Sequence, residues 1–444
     1  MKAEKKWAEL TPAEKREQRY QWWLNPDIKF VSPEAEKNYK TRALRFINAY
    51  RVEKPDRVPV SLPVGTWPAY LADTDLHTVM YDYDKLRDAW KKFYDNFETD
   101  TAVSPGMVLP ARVYELLDYK LYAWPGHGLP KTATGIQFVE GEYMKENEYD
   151  LLIKDPSDFW MRVYVPRVFG VFEPWKYLSP FTSIIEGPGF WFLPYTRPDM
   201  QAATQRLLDI GKELSVWAKM IGEFNAWAQE SGYPAGKLLL AKAPFDTIGD
   251  TLRGTKGIIK DMFRQPEKLL EAIDVVTDFT IKQTIESADA TQAISAMFPL
   301  HKGADGFMSP KQFEKFYWPS LKKVIDALLK EGIRSELFAE GTYTSRLETV
   351  NEFAKGDVGW LFDKTDMALA KKILGKTCCI SGNVPSSIMV TGGPKEVKEY
   401  CRKIIDICAP GGGFILAGGA HVDHGNPDNL RAMMEAAKEY GKYR

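Results

Sequence analysis

Gly411-Gly412-Gly413-Phe414-Ile415-Leu416-Ala417-Gly418-Gly419-Ala420-His421-Val422-Asp423-His424-Gly425 is the stretch whose reading decides the fold. Its apolar run, Phe414 to Leu416, reads as a short buried strand. The strand opens into Gly418-Gly419 and then presents His421, Asp423 and His424. Two of the chain's five histidines stand here. After Pro427 the chain turns into a terminal helix. A strand that ends in glycines and then offers polar, metal-capable side chains is how a (β/α) barrel displays chemistry at its C-terminal face. The glycines serve tight turns or let a ligand approach the backbone.

The same pattern recurs upstream. Strand candidates at Val58–Val64, Thr99–Ser104, Lys237–Ala243, Ala293–Phe298, Ile333–Phe338, Val358–Phe362, Cys378–Ser381 and Gly413–Ala417 are each followed by helical periodicity. Alternating β and α with short links predicts a parallel sheet with helices outside. Eight such units predict an α/β fold, a (β/α)8 TIM barrel, over residues 56–444. Residues 1–55 read as a helical N-terminal extension covering the main body or a sister subunit. Thr11-Pro12-Ala13-Glu14 supplies its helix start, with Thr11 as N-cap and Glu14 completing a capping box. Residues 105–195 form a long insertion after the second strand, rich in Pro, Gly and aromatics. Such a stretch serves as a lid, a channel wall or an interface. A competing strand candidate at Ser183–Glu186 is the main threat to the count of eight.

Composition bounds the function. The chain has 444 residues, 44% hydrophobic and 27% charged, with 59 Lys+Arg against 60 Asp+Glu. A net charge of −1 argues against nucleic acid or an anionic membrane as partner. No apolar run approaches the roughly 18–20 residues of a membrane span. The charged N-terminus does not read as a signal peptide. Four cysteines without CxxC spacing read as reduced thiols of a cytoplasmic protein, with Cys378 and Cys379 in the core. No dinucleotide, P-loop or nucleophile-elbow motif stands in a strand–turn–helix context.

In a parallel barrel, residues just past each strand converge on one face. His301 and Asp305 follow the fourth strand, and Glu340, Tyr343 and Arg346 the fifth. Asp363 follows the sixth, Asn383 the seventh, and His421, Asp423 and His424 the eighth. Carboxylates and histidines so placed suit a divalent metal or a general acid and base. Glu340, His421 and Asp363 are the catalytic candidates. Glu340 and His421 are also the candidate metal ligands. Trp67, Tyr70, His301, Tyr343 and Asn383 are candidate substrate contacts. Asp366 reads instead as an N-cap, and His424 as a turn residue.

At these residues the chain resembles the uroporphyrinogen decarboxylase superfamily and its corrinoid-dependent methyltransferase branch. The matching stretches are Thr41–Phe46 through Asp56–Val60, Phe307–Pro310 with Phe316–Pro319, Ser381–Pro385, and Gly411–Leu416 through Asn429–Met433. The family fold is a (β/α)8 barrel. Its decarboxylases grip a tetrapyrrole's carboxylates with arginines after the first strand, and here Pro63–Tyr70 carries none. Its methyltransferases bind zinc through a His-x-Cys pair and a later Cys, and Phe338, Glu340 and Ala420 stand at those positions. The resemblance therefore implies a methyltransferase moving a methyl group from a small donor, such as a methoxylated aromatic, to a corrinoid (cobalamin) protein. Such an O-demethylase activates the leaving heteroatom with an acid or Lewis acid, zinc or another divalent metal. The corrinoid comes on a separate protein, since no Asp-x-His-x-x-Gly module is present. Two alternatives stay open: a decarboxylase-like lyase acting on a non-porphyrin acid, and a non-catalytic binding subunit. Both a monomer and a homo-oligomer are compatible with the sequence.

Overall fold

In a computed structural model, which describes residues 5–236 and 238–443, seven parallel strands form a curled sheet. Chain-order numbering gives β1 (Val60–Ser61), β5 (Leu238–Leu240), β6 (Ser295–Leu300), β7 (Arg334–Ala339), β8 (Val358–Phe362), β9 (Cys379–Val384) and β10 (Phe414–Gly418) to this sheet. β2 (Tyr122–Pro125), β3 (Gly128–Leu129) and β4 (Gln137–Phe138) form a small sheet of their own. The order of the main sheet is β1-β10-β9-β8-β7-β6-β5, parallel throughout. This is the expected barrel-type α/β architecture. Lys237, the expected start of the third strand, lies outside the described residues.

The expected second strand does not form. Residues 99–104 run through the gap between β1 and β5 without pairing to either as a strand. The physical reason is that side chains take the ladder's partners. The buried Asp100 carboxylate accepts the Val60 N–H at 2.9 Å, in place of a strand carbonyl. Val103 N–H donates to the Tyr94 hydroxyl at 2.6 Å. Ala102 N–H donates to the Pro234 carbonyl at 2.9 Å, just upstream of β5. Arg45 and Arg57 hold Asp100 in place, each at 2.6 Å.

Ser183–Glu186 forms no strand either; Phe181–Ser183 is a short 3-10 turn. Residues 105–195 are built from short helical segments and the small sheet. The 33-residue helix Pro198–Glu230 follows, about 50 Å long.

The N-terminal helices Pro12–Leu24 and Pro33–Tyr50 pack on this same chain. Thr11 and Glu14 cap the first reciprocally. Buried Arg19 donates to the carbonyls of Glu331 and Ala293, and Trp23 Nε1 to that of Ala235. Gly411, Gly412 and Gly413 lie at the start of β10, away from the strand ends, with φ of 85°, 84° and 69°. A Cβ on Gly412 would strike the Glu53 backbone, so this triplet serves a turn against the N-terminal segment. All four cysteines are buried and free.

Candidate functional site

Polar side chains gather where the strands end. After β5 the chain enters the short helix Pro244–Asp246 and a widened, π-helical turn, Thr247–Leu252. Asp246 and Asp250, four residues apart, thereby face the same neighbours. β6 ends at Leu300 and delivers His301 and Lys302; β7 ends at Ala339 and delivers Glu340.

Asp246 is fully buried and sets the backbone of this corner. One of its oxygens accepts the His301 N–H at 3.0 Å and the Tyr317 hydroxyl at 2.7 Å; the other accepts the Lys302 N–H at 3.0 Å. Burial, then the neighbouring Asp250 charge, pushes its carboxyl up from the ordinary value.

Asp250 holds the histidine. Its Oδ2 lies 2.6 Å from His301 Nδ1. The Lys242 and Lys302 ammoniums each stand 3.1 Å from its carboxylate. Burial opposes the charged form, but the His301 hydrogen bond and the two lysines overcome it and hold the carboxyl well below its usual range. On the other side, His301 Nε2 faces Glu340 Oε1 at 3.4 Å. Burial again opposes charge, and the bonds to Asp250 and Glu340 win, so the imidazole is pushed up to about 10. Its side chain stays 39% exposed. The result is an imidazolium at neutral pH with one N–H fixed and the other turned to an open carboxylate.

His421 behaves oppositely. It is open to solvent but set deep in the mouth, and this burial lowers its pKa despite the nearby Asp423 and Glu340 charges. Two histidines of opposite protonation therefore share one mouth. Among the described residues no ion pair joins His421 to Glu340; the partner of Glu340 is His301.

The remaining sequence-derived residues fall into place around this pair. Asp363 accepts the Gly341 N–H at 3.1 Å and so braces the turn that carries Glu340. Tyr343 is buried, its hydroxyl donating to the Leu300 carbonyl at 2.9 Å, next to His301. Asn383 is buried too, bonded to the Thr365 carbonyl and the Tyr400 hydroxyl. Asp423 accepts both the N–H and hydroxyl of Thr66 at 2.9 Å, tying the last strand's loop to the first's. A side chain at Gly65 would collide with that carboxylate. Trp67 is buried beneath this junction, and Tyr70 meets His424 edge to face at 6.3 Å. Asp366 caps the helix Met367–Leu374, as its position implied.

Sequence reading missed Asp246, Asp250, Lys242 and Lys302. One signal was present: Pro244-Phe-Asp-Thr-Ile-Gly-Asp250 places two carboxylates at i and i+4 directly after a strand.

Asp246, Asp250 and His301 offer ligand atoms within 4.8 Å of one another, and no other such triad occurs among the described residues. Their chemistry does not suit a divalent cation. Asp246 has both oxygens engaged by donors, and Asp250 already faces two ammoniums and an imidazolium. Among the described residues, Glu340 and His421 belong to no such triad. The donor set therefore fits proton chemistry rather than a metal.

Residues 239–440 match the family model described as uroporphyrinogen decarboxylase (URO-D). The chain is 25% identical over 236 residues to the methylcobamide:CoM methyltransferase MtbA of Methanosarcina acetivorans, covering 52% of this chain and 60% of that one. It is 30% identical over 184 residues to the uroporphyrinogen decarboxylase of Geobacter metallireducens, covering 39% and 50%. The chain thus matches only half to three fifths of the length of these relatives. A solved methyltransferase from Methanosarcina mazei superposes with a TM-score of 0.53 at 14% identity, over 90% of this chain and 98% of that one, which establishes a common fold. Among the described residues, no helix is long and apolar enough to cross a membrane.

Proposed function

For a chain whose residues 239–440 match the uroporphyrinogen decarboxylase family model, we propose methyl transfer from a small ether or amine donor to a corrinoid carried by a partner protein. The observation that carries this reading is His301, held between Asp250 at 2.6 Å and Glu340 at 3.4 Å in an open mouth. The corrinoid, as methyl acceptor, supplies the nucleophile. This chain supplies the proton. As the methyl–heteroatom bond breaks, its electron pair stays on the heteroatom. His301 Nε2 delivers its proton there, while Nδ1–H remains on Asp250 and keeps the ring oriented. Glu340, facing the same Nε2 at 3.4 Å, returns the ring to its charged state afterwards, with water in the open mouth as the proton source. General acid help of this kind contributes about 10²–10⁴-fold.

His421, neutral at pH 7, is assigned the role of hydrogen-bonding the donor. Tyr70 is assigned its apolar wall, which suits a methoxylated aromatic, with the buried Trp67 packed behind it. Similarity to the methanogen methyltransferase supports the transfer reading. The decarboxylase relatives keep a second reading in play, because the exposed His301 ring would also hold a substrate carboxylate. Two assays separate them. Purified protein mixed with a methoxyarene and a reduced corrinoid protein should yield methylcobalamin, followed by its absorbance. Failure across a panel of ethers and amines, with CO₂ released from an organic acid instead, would replace transfer by decarboxylation.

A further inference from the structure

The helix Gly254–Arg264 opens directly after the turn that carries Asp250. The next helix, Pro266–Thr291, runs back to the start of β6, so Gly254–Arg264 lies on the barrel's C-terminal face, at the rim of the mouth. Its first turn is tied to the site. Thr255 N–H donates to Glu140 at 2.7 Å. The Lys302 ammonium, itself 3.1 Å from Asp250, donates to the Thr255 hydroxyl at 2.8 Å.

The residue pattern gives this helix two faces. Gly257, Ile258, Asp261 and Met262 are buried against the body. Lys256, Ile259, Lys260, Phe263 and Arg264 are exposed, and at about 100° per residue they fall on one contiguous face. Phe263 is 72% exposed and Ile259 38%, one turn apart. Apolar side chains left in water and ringed by charge mark an interaction surface.

The cations of this face are uncommitted. The ion pairs around the helix join Arg253 to Glu142 and Asp261, and Lys268 to Asp150 and Glu271. Among the described residues, Lys256, Lys260 and Arg264 have no carboxylate within 4 Å. Glu146 lines the groove beside Lys256 and Lys260 without reaching either, and Glu267 opens the next helix. Three free cations around two apolar side chains fit a protein surface that is acidic at its rim and apolar at its centre. A second copy of this chain does not offer that through the same face, because a twofold axis would set these cations against themselves.

We infer that this face is where the corrinoid-bearing partner docks, an acidic patch of that protein meeting Lys256, Lys260 and Arg264 and an apolar spot meeting Phe263 and Ile259. Its place suits that role, given the methyl transfer proposed above. Phe263 lies about 12 Å along the helix from Thr255. An interface of about 800 Å² per partner centred there extends to the mouth, where the corrinoid must meet the donor's methyl group.

The test compares two methyl acceptors, free cob(I)alamin and a purified cob(I)-loaded corrinoid protein with the Asp-x-His-x-x-Gly motif and an acidic net charge. The enzymes are the wild-type full chain, Lys256→Glu/Lys260→Glu/Arg264→Glu and Phe263→Ser. With the corrinoid protein, kcat/KM should fall about 100-fold in the triple variant and about ten-fold in Phe263→Ser. With free cobalamin both variants should stay within about two-fold of wild type, which also shows that they are folded. Raising NaCl from about 0.05 to 0.5 M should slow wild-type transfer to the corrinoid protein and leave the triple variant flat. Titration calorimetry with the same corrinoid protein separates docking from chemistry. Binding that the triple variant loses, with no transfer to either acceptor, would keep the docking and overturn the reaction. Wild-type transfer and binding in the triple variant would overturn the docking and leave the reaction standing. Neither binding nor transfer to that protein would overturn the docking as well. Binding to phosphatidylserine vesicles that the triple variant loses, with the corrinoid protein unaffected, would assign the face to a membrane instead.

Discussion

The Asp250 carboxylate lies 2.6 Å from His301 Nδ1, and through that one bond the polar centre of the barrel mouth is set. The bond fixes which nitrogen is committed and which is free, and keeps the ring charged. Asp250→Asn removes the negative charge and keeps the shape. The His301 pKa should fall from about 10 toward the ordinary histidine value near 6.5. An NMR titration of the His301 ring checks this. An unchanged midpoint would assign the shift to Glu340 instead.

The same shift has a stability consequence with a definite sign. A histidine whose folded pKa is raised stabilises the native state fully below its unfolded pKa. That contribution is lost as pH climbs through the folded value. The denaturation midpoint of the wild type should therefore fall between about pH 6.5 and 10. His301→Gln should flatten that slope. Because the ring is partly exposed, solvent screening makes the effect modest.

Asp246 is the buried clamp beneath the pair. Asp246→Asn puts an amide donor among three donors, the N–H groups of His301 and Lys302 and the Tyr317 hydroxyl. Urea unfolding should show a loss of about 1–3 kcal/mol, the cost of unmatched buried polar groups.

Asp100 closes the gap left by the missing strand. Asp100→Ala leaves Arg45 and Arg57 without their shared partner and uncaps the Val60 N–H. A loss of about 3–5 kcal/mol is expected in chemical denaturation. A loss under about 1 kcal/mol would mean that residues 99–104 are held by packing alone.

Metal content gives an independent check on the donor set. Protein purified from zinc-supplemented medium should carry substoichiometric metal by elemental analysis. The triple variant Phe338→His/Glu340→Cys/Ala420→Cys rebuilds the His-x-Cys and Cys pattern, and should hold about one zinc per chain. Stoichiometric, tightly held metal in the wild type would contradict the proton-chemistry reading.

Most of the barrel was legible because strands such as Phe414–Gly418 and Val358–Phe362 are continuous apolar runs. The second strand was not. Thr99–Ser104 has strand-like composition, but Asp100 spends its carboxylate on β1 and Tyr94 takes the Val103 N–H. Those are tertiary events with no local signature. Within the mouth, Glu340 and His301 could be read from their place just past a strand. Tyr343 and Asn383 could be placed but not interpreted, because only the fold shows their polar atoms engaged by the backbone and Tyr400. Asp246 and Asp250 were hidden by their setting: carboxylates at i and i+4 near a helix start usually face solvent. Here the widened turn at Thr247–Leu252 directs them inward instead.

The most direct test of the central claim compares methylcobalamin formation by wild type and His301→Gln across donors of graded leaving-group basicity. If His301 gives its proton to the leaving heteroatom, the variant should lose about 100-fold or more with an alkyl methyl ether. It should lose little with a methylated electron-poor phenol, whose oxygen needs no proton. An equal loss across the series, or no loss at all, would contradict the assignment of His301 as the acid.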